Sequence, residues 1–207
     1  MKTDQELLTQ KLYAYDLSYN KCCVIAGMDE AGRGPLAGNV VAACVCIPLD
    51  KVPIPGVNDS KKLSEKRRNL LYDEIMQVAD FVGVGMATPE EIDRMNILEA
   101  TKKAMREAAA QVHADIYLID AVKNLGLNGQ EVSIIHGDAL SYHIAAASII
   151  AKVTRDRQMA ELDQLYPEYG FLRHKGYGTA EHIRALQTYG PCPAHRKSFI
   201  GHFWPVP

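Results

Sequence analysis

The chain has 207 residues, 47% of them hydrophobic, and 23 Lys and Arg against 25 Asp and Glu, a formal charge of −2. That is enough apolar chain for one main domain with a core. The near-neutral balance excludes a protein that holds polyanions by overall charge, so a nucleic-acid surface has to be local.

No apolar run approaches the about 18 residues of a membrane span. The start, MKTDQELLTQKLYAYD, carries charges every few residues and no apolar signal core. Five cysteines (Cys22, Cys23, Cys44, Cys46 and Cys192) lack CxxC spacing, which argues against a zinc site or a disulfide framework. Reduced, mostly buried thiols and a cytoplasmic location are expected.

In chain order, residues 3–20 read as a helix opened by a Thr3-x-x-Glu6 capping box. CCVIAGM (22–28) and NVVAACVCIP (39–48) are β-branched apolar runs joined by a Gly- and Pro-rich turn, the mark of a buried hairpin. LSEKRRNLLYDEIMQ (63–77) is helical with Ser64 as cap, and FVGVGMA (81–87) is a third strand, the three leading strands being joined by hairpin-type links. Thr88-Pro89-Glu90-Glu91 combines a Thr cap, Pro at the first helical position and Glu at the third, and opens a helix to about His113. DIYLID (115–120) and EVSIIHG (131–137) are strands, followed by a long helix from about Ala139 to Leu165. The rest is a polar tail in which Thr179 caps one more helix. This order predicts a mixed sheet with helices packed on it.

In open α/β sheets ligands collect beyond the carboxyl ends of strands. Asp29 ends the first strand, Asp120 ends DIYLID, and Asp138 follows EVSIIHG. Consecutive strand residues point to opposite faces, so Asp29 and Glu30 converge on one site only if the chain bends there, as Gly32 and Gly34 permit. Like charges this close repel by several kcal/mol at low dielectric and need a cation. Hard oxygen ligands suit Mg²⁺ or Mn²⁺, and a pair of such ions suits in-line phosphodiester cleavage.

Each residue has a plainer role open to it. Asp138 suits a helix N-cap and Asp120 a turn. Gly32-Arg33-Gly34 suits a glycine turn, and Lys61-Lys62 with Lys66-Arg67-Arg68 suits a solvated helix face. His136, His174 and His195 lack metal-ligand spacing and suit satisfied polar or surface positions.

Six strings go further: GMDEAGRGPLAGNVVAA (27–43), NDSKKLSEKRR (58–68), TPEEIDRMNILEATKKAM (88–105), GDALSYHIAAASIIAKVTRD (137–156), HKGYGT (174–179) and GPCPAHRKSF (190–199). Together they resemble the type 2 ribonuclease H family, ribonuclease HII, over about residues 24–200. The resemblance implies an α/β, ribonuclease H-like mixed five-stranded sheet flanked by helices, with a small helical C-terminal extension. The expected divisions are an N-terminal helical extension (1–20), a catalytic domain (21–165) and a segment completing the substrate site (166–207).

By the same resemblance Asp29, Glu30, Asp120 and Asp138 form the metal-binding catalytic set, holding two Mg²⁺ or Mn²⁺ ions when substrate is bound. Gly32, Arg33 and Gly34 hold the ribose, with main-chain groups at the 2′-hydroxyl that tells RNA from DNA. Tyr177 stacks on the sugar after the ribonucleotide. Lys61, Lys62, Ser148, Lys152 and Arg196 contact phosphates, Lys152 having an ion pair with Asp156 as the alternative. Two departures stand out: His136 replaces a lysine common in relatives, and Ser141-Tyr142-His143 is bulkier than expected near the helix start.

The implied reaction is hydrolysis 5′ of a ribonucleotide in an RNA/DNA hybrid or embedded in duplex DNA, giving 3′-hydroxyl and 5′-phosphate ends, in ribonucleotide excision and primer removal. The implied protein is a monomer that binds nucleic acid and no membrane. Sliding-clamp contact through FIGHFWPVP is open, because no clear clamp motif stands there. A type 3 ribonuclease H would carry a further N-terminal domain, whereas 28 residues precede Asp29. Another ribonuclease H-like nuclease would lack the Gly-Arg-Gly and Lys-Gly-Tyr-Gly-Thr blocks, and a non-enzymatic hybrid binder would lose carboxylates.

Overall fold

The apolar β-branched runs form one five-stranded sheet in the computed structural model, which describes residues 4–19 and 23–204. Its strands are β1 (Ile25–Ala31), β2 (Val40–Cys46), β3 (Phe81–Ala87), β4 (Ile116–Asp120) and β5 (Gln130–Ile134), in the order β3-β2-β1-β4-β5. β1 pairs antiparallel with β2 and β2 with β3, while β1–β4 and β4–β5 are parallel. The sheet is mixed, as expected. The Thr3 cap, Asn20 and Cys22 lie outside the described residues.

Eight helices flank it among the described residues: α1 (Asp4–Leu17), α2 (Glu65–Val78), α3 (Pro89–Met95), α4 (Ile97–Ala109), α5 (Tyr142–Leu165), α6 (Phe171–His174), α7 (Ala180–Tyr189) and α8 (Lys197–Ile200). Ser64 caps α2, Thr88 and Glu91 close a capping box on α3, and Thr179 caps α7, each as the sequence predicts.

Three expectations need correction. The helix predicted from Thr88 to His113 breaks at Asn96, whose φ of 71° interrupts the ladder while its side chain accepts from the N–H groups of Leu98 and Glu99 and starts α4. β2 and β3 are adjacent and antiparallel, but the link between them holds a 3₁₀ turn (Ser60–Lys62) and α2, so it is no hairpin. α5 begins at Tyr142, capped by Ser141, after a separate 3₁₀ turn at Gly137–Ala139.

Strand alternation sorts the core into two layers. Ala26, Met28, Ala42, Cys44, Cys46, Tyr117 and Ile119 pack against Ala104, Met105 and Ala108 of α4. Ala43 and Val45 pack with the Ala- and Ile-rich face of α5, which α1 and α2 cover, and Ile25, Ile116 and Leu118 meet Ile144 on the same side. The α5 side is very close. A Cβ on Gly27 would stand 2.1 Å from the carbonyl carbon of His143. Gly27→Ala is therefore expected to cost about 3 kcal/mol or more, read as a fall in Tm of about 6–12 °C.

The supposed polar tail is a packed layer. Tyr169, Phe171 and Ala194 bury with Ala37 and Met159, and Phe203 and Trp204 pack on Leu36, Leu186 and Ile200. The aromatics of the C-terminal string thus pack on the body; residues 205–207 lie outside the described residues. Cys23, Cys44, Cys46 and Cys192 are free thiols, and no described helix is long and apolar enough to cross a membrane.

Candidate active site

Parallel pairing sets Met28 beside Ile119, so the next residues, Asp29 and Asp120, sit at neighbouring strand positions on the α5 side of the sheet. Asp138 arrives from the 3₁₀ turn ahead of α5. Oxygens of these three aspartates lie within 4.8 Å of one another. Asp138 does not cap the helix, since Ser141 does; it faces Lys61, whose Nζ is 3.2 Å from Oδ2. Asp120 Oδ1 accepts from the Gly137 N–H at 2.7 Å, which ties the end of β4 to the turn that carries Asp138.

Glu30 arrives differently from expectation. β1 does not stop at Asp29 but stays paired through Ala31, opposite Val41, with no bend between the two acids. By parity Glu30 belongs with Ala42, on the α4 side, outside the three-aspartate group. Its carboxylate still lines the same cleft of about 210 Å³, with Asp29, Gly32, Arg33, Gly34, Lys61, Asp120, Lys152 and Tyr177. Oε1 lies 3.4 Å from Arg33 Nη1, and Oε2 is buried with no partner.

The electrostatics fit a cation site. Burial, then Glu30 and Asp120, push the Asp29 carboxyl well above the usual carboxylate range. Burial raises Glu30 against the pull of Arg33, and burial raises Asp120 against its bond from Gly137. Burial opposes the charge on Lys61, but Asp138 together with Asp29 and Asp59 outweighs it and holds that ammonium up. Converging acids, mutual repulsion and an orphaned carboxylate oxygen are the donor set of a hard divalent cation.

The Gly-Arg-Gly turn follows β1. Gly32 has a φ of +99°, and a Cβ there would strike the Arg155 side chain at 2.1 Å, so this position has no room for a side chain. A Cβ on Gly34 would lie 3.7 Å from the Tyr177 ring, so the exposed ring stands beside the turn. Lys61 and Lys62 are exposed at the rim.

Three expected phosphate contacts have partners within the protein. Arg196 is fully buried, and its guanidinium donates to the carbonyls of Gly32, Arg33, Pro35 and Gly38 through five hydrogen bonds, leaving no donor for a phosphate. Ser148 is buried too; it donates to the Ala145 carbonyl and accepts from the Ser60 N–H, fixing the turn before Lys61. Lys152 pairs with Asp156 at 2.6 Å, the plainer alternative, and Asp156 also faces Arg68 at 3.8 Å. Arg68 donates to the Ser60 and Leu63 carbonyls, so the 66–68 basic run is not simply a solvated face.

The departures fall outside the cleft or at its edge. His143 is buried against Asp16 (2.7 Å) and the Ile47 carbonyl (2.8 Å), and the Tyr142 hydroxyl accepts from the Ile54 N–H. His136 is exposed, and a positive charge there opposes protonation of Asp120. Sequence reasoning does not single out Arg155, buried in the lining of the cleft, or His182, buried behind Tyr177; the carbonyls that Arg155 meets and the His195 ring that His182 meets lie on other segments, so no local pattern marks them.

A mixed sheet of this order, with aspartates converging from two central strands and from the turn before the longest helix, defines a ribonuclease H-like nuclease. The chain belongs to the ribonuclease HII family, whose model matches residues 26–202. It is 54% identical over 200 residues to a ribonuclease HII of Acetivibrio thermocellus, covering 96% of this chain and 77% of that one. Among solved structures, ribonuclease H2 of Pyrococcus horikoshii aligns with a TM-score of 0.71 at 28% identity over 84% of this chain and 92% of that one. The ribonuclease HII in a PCNA complex from Archaeoglobus fulgidus aligns with a TM-score of 0.73 at 28% identity, over 89% and 96%. The chain is accordingly a metal-dependent endoribonuclease acting on RNA/DNA hybrids.

Proposed function

We propose that the enzyme hydrolyses the phosphodiester 5′ of a ribonucleotide, in RNA/DNA hybrids and at single ribonucleotides embedded in duplex DNA, leaving 3′-hydroxyl and 5′-phosphate ends. One observation carries this reading: Asp29 and Asp120, two of the three clustered aspartates, line the same cleft as the Gly32-Arg33-Gly34 turn and the exposed Tyr177 ring. Asp29, Glu30, Asp120 and Asp138 would hold two Mg²⁺ or Mn²⁺ ions. When bound, such ions supply Lewis-acid activation of water and charge stabilisation at the departing 3′ oxygen.

The chain's own groups do the rest. Gly32 lets the backbone approach a ribose, and a 2′-hydroxyl there separates RNA from DNA. Arg33, exposed beside Glu30, and the rim lysines Lys61 and Lys62 orient the flanking phosphates without reading sequence. Lys61 keeps the cluster partly neutral through Asp138 and is free to turn to a phosphate once a cation takes over that role. Tyr177 offers a ring face to the next sugar at an RNA–DNA junction. Such an enzyme acts as a monomer in the cytoplasm, in excision of misincorporated ribonucleotides and of RNA primers.

The test is a labelled DNA duplex containing one ribonucleotide, incubated with Mg²⁺, Mn²⁺ or EDTA. Cutting 5′ of the ribonucleotide with either metal and none with EDTA is expected; cutting elsewhere, or retention without cutting, overturns the reading. Tyr177→Ala is expected to reduce the preference for the junction substrate over a long hybrid about tenfold, the scale of a single aromatic stacking interaction. The ratio of kcat/KM values on the two substrates measures it.

A further inference from the structure

We propose that His182 and His195 are positioning residues: a buried relay of neutral imidazoles that fixes the Tyr177 backbone and so sets where its ring stands in the cleft. The proposal rests on the role given above to Tyr177.

The loop that carries Tyr177 needs fixing. Lys175 and Gly176 precede it in left-handed conformations, φ 50° and 81°, a geometry that is unfavourable for a lysine because its Cβ crowds the following carbonyl. Hydrogen bonds hold each step: Arg155 Nη1 donates to the Lys175 carbonyl, the Gly176 N–H donates to His174 Nδ1, and the Leu36 N–H donates to the Gly176 carbonyl. The Tyr177 carbonyl accepts from the Thr179 N–H at 2.8 Å and from His182 Nδ1 at 2.9 Å. His182 Nε2 lies 3.0 Å from His195 Nε2, and His195 Nδ1 lies 3.1 Å from the backbone nitrogen of Cys192.

One arrangement of protons satisfies this chain. A carbonyl only accepts, so His182 Nδ1 carries a hydrogen. An amide N–H only donates, so His195 Nδ1 is bare and its Nε2 carries the hydrogen. His195 then donates to a bare His182 Nε2, and both rings are neutral. The surroundings agree. His182 stacks on His174 at 4.5 Å, Phe171 stands edge-on to it at 5.4 Å, and Tyr169 packs on His195 at 4.9 Å. Burial lowers the affinity of both rings for a second proton, bringing His195 to about 4. The chain therefore runs from the Cys192 backbone through two rings to Tyr177 and joins the segment before α8 to the Tyr177 loop.

A residue that merely fills space would be replaced by a ring of like volume without effect at Tyr177. Hydrogen exchange of the full-length protein separates the cases without using activity. In His182→Phe, the Tyr177 and Thr179 amides are expected to exchange about tenfold faster while β1 and α5 keep their protection. His182→Asn, which retains a side-chain N–H near the Nδ1 position, is expected to restore most of that protection. His195→Leu is expected to act like His182→Phe one step removed, and serves if His182→Phe does not fold. On substrate, His182→Phe is expected to lose junction preference by the same factor as Tyr177→Ala, with no further loss in the double variant.

Unchanged exchange at 177 and 179, or acceleration spread equally over β1 and α5, overturns the relay. If exchange changes as expected but Tyr177→Ala leaves the substrate preference intact, the relay stands and the role given to Tyr177 falls.

Discussion

Asp29→Asn is expected to abolish cleavage and, in the absence of metal, to raise the melting temperature. The loss of activity follows from the donor set: the substitution removes one anionic oxygen from the three-aspartate cluster while keeping the shape that accepts the Glu30 N–H at 2.7 Å. A fall in kcat of at least about 10³-fold, about 4 kcal/mol, is the scale for losing a group that stabilises transition-state charge directly.

The gain in stability follows from the same geometry. Asp29 is 4% exposed and repelled by Glu30, Asp120 and Asp138, so its folded-state pKa stands above its unfolded one. Between the two values the folded state binds more protons than the unfolded state, so stability falls as pH rises through that window and stays low above it. In EDTA, Tm of the unmodified enzyme is therefore expected to decline from about pH 4 towards neutrality. Asp29→Asn flattens that slope and gains about 3–6 °C at neutral pH. Adding Mn²⁺ should raise Tm of the unmodified enzyme far more than that of the variant, because a ligand stabilises only the state that binds it. Scanning calorimetry over pH with EDTA or Mn²⁺ reads all three effects. An apo Asp29→Asn protein that melts lower, with the original slope, would remove the case for a repelled acidic centre.

Much of this centre is legible along the chain because the ends of apolar runs are local signals. FVGVGMA predicts β3 at its observed bounds, and caps such as Ser64, Thr88 and Thr179 depend on contacts within one turn. Asp29 and Asp120 follow from apolar runs that end in an acid, and parallel pairing then does the convergence. Asp138 is open between cap and ligand in the sequence. The choice depends on whether Ser141 can start the helix instead, a matter of the Gly137–Ala139 turn, whose approach through His136 is left-handed. Asn96 breaks a helix whose apolar period runs on unbroken, because a backbone at positive φ leaves no mark on periodicity. The long side chains are least legible. Arg196, Ser148 and Lys152 read as polar groups near a nucleic-acid site, but their partners lie across the fold or along one helix face, and no spacing says which partner wins. His182 goes unmarked for the same reason, its relay partner being His195 on another segment.

Arg196 carries the second large effect, and the two roles open to a basic residue near a nucleic-acid cleft part company on measurement. If Arg196 held a phosphate, weakening that grip in Arg196→Lys would leave stability alone, weaken binding, and lower the slope of log K against log salt by about 1. The structure calls for the opposite. The guanidinium has no carboxylate within ion-pair distance among the described residues, and burial, then the neighbouring Arg155, lower its pKa to about 9. What offsets that cost is the set of carbonyls at Gly32, Arg33, Pro35 and Gly38, which would otherwise be buried acceptors without donors. A lysine ammonium has three donors on one atom and does not span four carbonyls that a planar fork reaches. Arg196→Lys is expected to lose about 4 kcal/mol of stability, read as a fall in Tm of about 8–16 °C, and to lower kcat, because the freed carbonyls belong to the turn beside Asp29 and Glu30. The salt slope of substrate binding should stay as it was. A variant that melts normally but binds with a shallower salt slope would return Arg196 to the phosphate backbone and leave the Gly-Arg-Gly turn without its principal anchor.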